Sequence, residues 1–298
     1  MEFVRKIDAK LLQEDIALFY RPECVVIEWL KINGYQEDFL SQYYRELIIE
    51  AKNLYLKKHP KGDFSYPPMF RGAAAIGDMV YPVNIHVGYG EYRLIPLDLI
   101  DISEEELNEV LMYDPEQAYR AIYNVCDVYD FGYGANDLIT RDSSASDLLK
   151  NALSNINATS RVLSDSNNIE GMIQISLVAI ELAFKAAFIH IGYEEDFMKS
   201  KLRHDFKKMA SLLVKERSLD SDKQVIELCE SLPDLVGTRY RPSELTRLKM
   251  IDVAMAAQFI AAECTRRITD RNLAAQIAQQ TGFPRIYKFQ KEPIPNSV

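Results

Sequence analysis

Apolar residues recur with helical spacing through the second half of this chain. Four stretches place them three or four positions apart, which predicts amphipathic helices. These stretches cover residues 170–191, 194–217, 221–232 and 243–282. The first is apolar on nearly all sides, so we expect it to lie at the centre of a core. Short connections between the helices predict an antiparallel four-helix bundle over residues 165–280, with a tail at 281–298.

The first half carries mixed signals. Helical spacing at residues 8–20 and 35–60 predicts two helices, and Pro60 ends the second. Strands are predicted where β-branched and aromatic residues gather, at 24–30, 79–90 and 91–102. Helices capped by Ser103 and Asp114 follow. We therefore expect an α+β domain with a small sheet over residues 1–150, and a protein that is mainly α.

Three polar or Gly-rich stretches predict irregular structure. Residues 62–78 are punctuated by Gly and Pro, and residues 127–142 gather four acidic residues and two glycines. Both are expected to be loops. Ser and Asn dominate from about residue 141 to 168, which predicts a connector that contains a helical turn or two.

Charge differs between the two halves. Residues 1–164 carry 16 Lys and Arg against 26 Asp and Glu, a net charge of −10, whereas residues 165–298 carry 19 against 18, a net charge of +1. An acidic first half repels phosphate, so non-specific nucleic-acid binding is not expected there. A protein partner is the better expectation for that surface.

The cysteines and the apolar segments define the expected environment. Four cysteines lie far apart and include no Cys-x-x-Cys pair, which predicts reduced core thiols and no metal or cofactor. The apolar run at 171–180 stops at Glu181, short of the roughly 18 residues of a membrane span. The first ten residues lack the apolar core of a secretory signal. We therefore expect a cytoplasmic protein without membrane contact.

Glu181 and Lys185 interrupt the most apolar stretch, one helical turn apart. Glu four residues before Lys is the favourable orientation for an intrahelical ion pair. Burying either charge alone costs several kcal/mol, so both need compensation. The pair could face solvent at the bundle edge or line a polar pocket.

A basic run follows in the next predicted helix. Residues 199–217 carry seven Lys and Arg against Asp205 and Glu216, a net charge of +5. Such a face could bind phosphate, although a solvated surface is the simpler interpretation. His204 is the histidine whose setting suggests chemistry, because it lies within this run beside Asp205.

These features resemble a known family. "ELAFKAAF", a "HDF" segment and "TRYRP" before an Ala-rich last helix, within residues 165–268, are similar to a HEPN (nucleotide-binding) domain. That family comprises four-helix, usually dimeric bundles found in ribonuclease toxins, defence proteins and companions of nucleotidyltransferases. Arg241, between Tyr240 and Pro242, departs from the family's turn. The resemblance implies that these residues surround a ligand pocket: Glu181, Lys185, His204, Asp205, Arg239 and Tyr240.

Ribonuclease members of that family use an Arg followed four to six residues later by His. None of the four histidines here has an Arg at that spacing before it, so cleavage by this motif is not expected. Arg239 presents a planar fork of donors suited to phosphate or to a carboxylate such as Glu181. Tyr240 could stack on a base or fill the core. Arg239 and Tyr240 could equally close the bundle without a ligand.

The sequence thus predicts a non-catalytic HEPN-like protein that binds a nucleotide, RNA or a partner and dimerises through its C-terminal bundle. Accessory roles in defence or toxin–antitoxin systems fit the resemblance. One alternative is a metal-independent ribonuclease with a rearranged site built from His204, Arg239 and Glu181. Another is a purely structural dimeric interaction protein.

Overall fold

A computed structural model describes residues 2–35, 41–60, 68–86, 94–141, 145–165, 169–235, 237 and 245–285. The protein is mainly helical with one two-stranded antiparallel sheet, as the sequence predicts at this level. It divides into two compact units, Met1–Pro67 and Pro68–Val298, here called the N-terminal and C-terminal units. The sequence predicts a first domain over residues 1–150, whereas the sheet and the helices between residues 68 and 150 belong to the C-terminal unit.

The N-terminal unit contains three helices: α1 (Glu2–Gln13), α2 (Arg21–Ile32) and α3 (Gln42–Lys58). Ser41 caps α3 by accepting a hydrogen bond from the Tyr44 N–H at 3.1 Å. The strand predicted at residues 24–30 is wrong, because this segment lies in α2. Val25, Val26 and Leu30 are buried there, and the burial outweighs the weak helix propensity of β-branched residues.

Asp8 joins the three helices of the N-terminal unit. Its carboxylate accepts hydrogen bonds from the Tyr55 hydroxyl at 3.1 Å and the Arg21 guanidinium at 3.3 Å, and it pairs with Lys58. Burial alone would raise the pKa of Asp8, but the contacts with Lys58, Tyr55 and Arg21 outweigh it and lower the pKa. A charged Asp8 is therefore part of this small core.

The C-terminal unit begins with a hairpin and continues almost entirely as helices. The hairpin consists of β1 (Phe70–Ile76) and β2 (Met79–Ile85), paired in register from Phe70 opposite Ile85 to Ile76 opposite Met79. The helices are α4 (Glu104–Tyr113), α5 (Pro115–Arg141), α6 (Ser146–Asp165), α7 (Gly171–Ile191), α8 (Glu195–Phe197), α9 (Phe206–Glu216), α10 (Asp222–Ser231), α11 (Arg247–Arg266) and α12 (Leu273–Thr281).

The strand predictions are partly correct. Residues 79–85 form β2, as expected, but the loop predicted around 62–78 contains β1. The strand predicted at 91–102 is wrong in its described part, where Pro96–Leu99 is a 3-10 turn and Ile100 makes one bridge to Val83. Proline lacks the N–H that a strand ladder needs, which accounts for this turn.

The core is built around α7 and α11. Helix α7 packs between α6 and α11, α11 also packs on α5, and both α5 and α6 cover β1. Residues 251–266 of α11 are all buried, and their many alanines allow close helix packing. The helices thus pack together as a bundle, and α5 and α6 are part of this core, although the sequence predicts a loop over the second half of α5 and a connector at α6.

The acidic residues and glycines of α5 have a structural role within the helix, although they suggest a loop. Asp127 and Asp130, which suggested a polar loop, are fully buried. Gly132 and Gly134 lie where neighbouring side chains approach closely: an added Cβ would come within 2.4 Å of Phe70 and 2.8 Å of Thr265. The glycines therefore allow contact between elements and do not end the helix.

Helix α7 is the single described helix long and apolar enough to cross a membrane by length and composition alone. Of its most apolar window, 67% is buried within the protein. Helices at the centre of a globular core meet the same criteria.

The edge of β1 that β2 leaves open is covered by polar side chains from helices. Gln258 of α11 forms two bonds with Ala73: its Oε1 accepts from the Ala73 N–H at 2.7 Å, and its Nε2 donates to the Ala73 carbonyl at 2.8 Å. Asn124 of α5 accepts from the Ala75 N–H at 3.2 Å. The Gln258 amide thus replaces the neighbouring strand that Ala73 lacks.

We predict that Gln258→Leu destabilises the C-terminal unit by about 2–4 kcal/mol, because two buried backbone groups of Ala73 lose their partners. Urea unfolding measures this change. Gln279→Leu, at an exposed position of α12, is the matched control and should change the free energy of unfolding by less than about 0.5 kcal/mol. Equal effects of the two substitutions would contradict the role given to Gln258.

Candidate functional site

Glu181 is the buried centre of the predicted site. It lies on α7 and is 7% exposed. One carboxylate oxygen pairs with the Lys185 ammonium one turn later, and the other lies 2.8 Å from Nδ1 of His204. A carboxylate only accepts, so Nδ1 carries the proton in this contact. The structure therefore brings Glu181, Lys185 and His204 together, although 23 positions separate Glu181 from His204.

A break in the predicted helix at 194–217 brings His204 to this position. The chain forms α8, a π turn at Met198–Leu202 and then a reversal before α9 begins at Phe206. Arg203, within the reversal, adopts φ 50° and ψ −112°. A non-glycine residue with positive φ is strained, and such strain concentrates at functional sites. A continuous helix would not give this backbone arrangement at His204.

Asp205, which the resemblance assigns to the ligand pocket, also has a structural role in this fold. It caps α9 by accepting from the Lys208 N–H at 3.1 Å, and it pairs with the Lys208 ammonium at 3.0 Å. The side-chain contact with Lys208 is the main cause of the lowered pKa of Asp205. Asp205 thus holds the start of α9 beside His204.

The surface around His204 is basic. The His204 side chain is 45% exposed. Lys201, Arg203 and Lys207 are exposed and form no ion pair within the described parts of the chain. These three cations lie within three residues of His204 along the chain, and their charge makes this surface suitable for an anion.

Two predicted site residues, Arg239 and Tyr240, lie outside the described residues. The same holds for Arg241 and the remainder of the turn through residue 244. Their positions relative to Glu181 remain a prediction.

A buried charge network between α5 and α11 is not among the features predicted from the sequence. Its centre is Arg266, whose side chain is 1% exposed. The guanidinium contacts Asp130 at 2.6 Å, Asp127 at 3.0 Å and Glu263 at 2.8 Å. Asp130 also accepts from the backbone N–H of Leu273 at 2.8 Å, which ties the start of α12 to α5.

Glu263 extends this network to α10. It pairs with Arg267 and accepts from the Ser221 hydroxyl, and Arg267 reaches Asp222 at 2.7 Å. Burial alone would raise the pKa of Glu263, but Arg266 and Arg267 outweigh it and lower the pKa to about 2. A carboxyl with that pKa has no proton to donate at neutral pH. The network is therefore structural, since its charges compensate one another.

A local signal for half of this network exists in the sequence. Glu263 precedes Arg266 and Arg267 at three- and four-residue spacing, as in an intrahelical pair. The partners on α5, more than 130 positions away, follow only from the packing of α5 on α11.

The cysteines are poorly suited to nucleophilic chemistry. Cys126, Cys229 and Cys264 are buried, which confirms the prediction of core thiols for these three, while Cys24 is partly buried. Burial is the main cause of the raised pKa of all four thiols. Among the described residues, no group of three His, Cys, Asp or Glu side chains is arranged to hold a metal ion.

No protein-family model, no curated protein and no solved structure matches this chain. Its own geometry therefore carries the functional argument. The cluster of Glu181, Lys185 and His204 beside a basic surface is the best candidate.

We predict a pH signature for the buried network. The pKa of Glu263 falls from 4.5 to about 2 on folding, which corresponds to roughly 3 kcal/mol of stability. A lowered pKa gives stability that is fully present above the unfolded value and is lost as the pH falls towards the folded value. Glu263→Gln should therefore lower the free energy of unfolding by about 3 kcal/mol at pH 7 and by less than half of that at pH 3.

Urea unfolding at several pH values measures how the difference in the free energy of unfolding between wild type and Glu263→Gln decreases as the pH falls. Glu195→Gln is the control, because Glu195 is exposed and its ion-pair partner Lys199 is exposed as well. Its effect should be small throughout. A Glu263→Gln deficit that does not shrink with falling pH would contradict the assignment.

Proposed function

We propose that this protein is a non-catalytic HEPN-like protein that binds a phosphate group of a nucleotide or RNA beside Glu181. The observation that carries the proposal is that buried Glu181 contacts both Lys185 and His204 next to an exposed basic surface. The HEPN resemblance implies the same residues as ligand contacts. It also implies dimerisation through the bundle and an accessory role in a cytoplasmic defence or toxin–antitoxin system.

Phosphate is the ligand chemistry that this cluster favours. Glu181 compensates the Lys185 ammonium and orients the His204 imidazole, so both are positioned before a ligand arrives. Lys201, Arg203 and Lys207 supply the additional charge. Their flexible, exposed side chains suit a backbone phosphate more than the edge of a base. The proposal therefore predicts binding with strong salt dependence and little sequence preference.

The HEPN resemblance adds Arg239 and Tyr240 to the proposed site. A guanidinium fork would bind phosphate with two hydrogen bonds, and a tyrosine ring would stack on a base. The acidic first half makes a long duplex a poor ligand, so we favour a nucleotide or a short single strand.

We predict that replacing Lys201, Arg203 and Lys207 together by Gln weakens binding of a fluorescein-labelled single-stranded RNA by about tenfold or more. Each lost phosphate contact should also reduce the slope of log affinity against log salt by about 0.7, or about 2 in total. Fluorescence anisotropy at several salt concentrations measures both values, and unlabelled ATP tests competition by a nucleotide.

The matched control replaces Lys215, Arg217 and Lys223 by Gln, which removes the same charge from exposed positions towards the end of α9 and in α10. This control should keep most of the affinity. Equal losses in the two triple variants would mean general electrostatic attraction, and the proposed site would be wrong. No binding by the wild type to RNA or ATP would favour the purely structural dimer.

One observation favours a ribonuclease as a second candidate. The contact between His204 Nδ1 and Glu181 is the carboxylate–imidazole arrangement that orients a general base. In that reaction, the imidazole would take the proton of a 2′-hydroxyl as its oxygen bonds to phosphorus and the bond from phosphorus to the 5′-oxygen breaks. The leaving 5′-oxygen would take up a proton from the imidazolium or from water, and Arg239 would stabilise the negative charge on the phosphoryl oxygens.

For this alternative, we predict that His204→Ala lowers RNA cleavage by about 100-fold or more while the free energy of unfolding changes little. Cleavage of a labelled RNA on a denaturing gel provides the measurement. His86→Ala is the control, because His86 follows β2, outside the cluster. Absence of cleavage by the wild type would leave the binding proposal as the better one.

A further inference from the structure

The C-terminal unit contains a second built site, which encloses an arginine side chain. Arg285 follows α12 and is held by residues of α5, α10 and α11: Tyr123, Asp127, Gln224 and Phe259. We call these four residues the guanidinium pocket. None of them belongs to the cluster around Glu181.

The pocket has the chemistry that recognises a guanidinium. Both terminal nitrogens of Arg285 pair with the two carboxylate oxygens of fully buried Asp127. The guanidinium carbon lies 4.3 Å from the centre of the Phe259 ring and 5.5 Å from the centre of the Tyr123 ring. A two-pronged carboxylate contact between aromatic rings distinguishes arginine from lysine.

The walls of the pocket lie on helices of the core. Asp127 and Phe259 are fully buried on the core helices α5 and α11. Asp127 also pairs with Arg266 at 3.0 Å, so its charge stays compensated when Arg285 leaves. We therefore expect these residues to stay in place when the arginine leaves.

The backbone of the segment that carries Arg285 contacts residues of the pocket. The carbonyl of Phe283 accepts from the Tyr123 hydroxyl, and that of Arg285 accepts from Gln224 at 2.8 Å. The ring of Phe283 stacks on the ring of Tyr119, with 4.2 Å between their centres, and Phe283 is 52% exposed. The segment begins after Gly282, which ends α12 with φ 70° and allows a change of direction.

We propose that the guanidinium pocket is an arginine-binding site which Arg285 occupies as an intramolecular ligand. An arginine on an extended segment of a partner protein binds there when residues 283–285 leave. The segment at 283–285 thus controls access to a partner-binding surface. This proposal is independent of phosphate binding beside Glu181.

The proposal is tested with Arg285→Ala in the full chain, because this substitution removes the side chain that occupies the pocket. N-acetyl-L-arginine amide should bind this variant at least about tenfold more tightly than the wild type, where Arg285 competes. It should also raise the melting temperature of the variant and leave that of the wild type unchanged. N-acetyl-L-lysine amide, which carries the same charge without the fork, should do neither.

Arg271→Ala provides the matched control. Arg271 also pairs with an aspartate, Asp137, at 2.8 Å and lies 5.5 Å from the centre of the Tyr133 ring, but its side chain is 40% exposed. Arginine amide should not stabilise this variant. The proposal would be overturned if the lysine compound stabilised Arg285→Ala as much as the arginine compound does. It would also be overturned if the arginine compound did not stabilise the folded Arg285→Ala variant.

If Arg285→Ala does not fold, Phe283→Ala serves instead, because it weakens the segment and leaves the pocket residues intact. Arginine amide should then bind this variant more tightly than the wild type, and lysine amide should not. Equal binding of arginine amide to Phe283→Ala and wild type would overturn the proposal.

Discussion

Burial of the Arg266 guanidinium between α5 and α11 is the constraint on which much of the C-terminal unit depends. A lone charge at that depth would cost several kcal/mol, so Asp127, Asp130 and Glu263 must all lie within contact distance. This requirement fixes the register of α5 against α11. The contacts around Arg266 also extend to two further helices. Asp130 holds the start of α12, and Glu263 pairs with Arg267, which reaches α10.

The charge network around Arg266 and the charged cluster around Glu181 have different consequences. Around Arg266 the donors and acceptors are buried and compensate one another, so the network stabilises the fold. Around Glu181, buried charge contacts the partly exposed side chains of Lys185 and His204. A cluster that continues to the surface can exchange a contact with solvent for one with a ligand. This difference in exposure, and not the number of charges, makes the Glu181 cluster the candidate site.

Local patterns in the sequence predicted some features well. Helix α7 follows from its apolar run, and β2 follows from its β-branched and aromatic residues. The cap of α4 follows from Ser103, which accepts from the Glu106 N–H at 3.2 Å. The Glu181–Lys185 pair follows from spacing on one helix. Other patterns misled. The acidic, Gly-containing part of α5 predicts a loop because the sequence does not show the buried partners of its aspartates. The β-branched run in α2 predicts a strand because the sequence does not show that these residues are buried in a helix.

The sequence by itself therefore determined a mainly helical protein with a small sheet, an apolar central helix and a charged pair on that helix. These features depend on interactions between residues a few positions apart, which periodicity records directly. Only the tertiary structure decided that α5 and α6 belong to the core, that Gln258 covers the open edge of β1, and that His204 meets Glu181. Each of these joins distant parts of the chain, and the free energy of such a contact depends on burial that the local sequence does not encode.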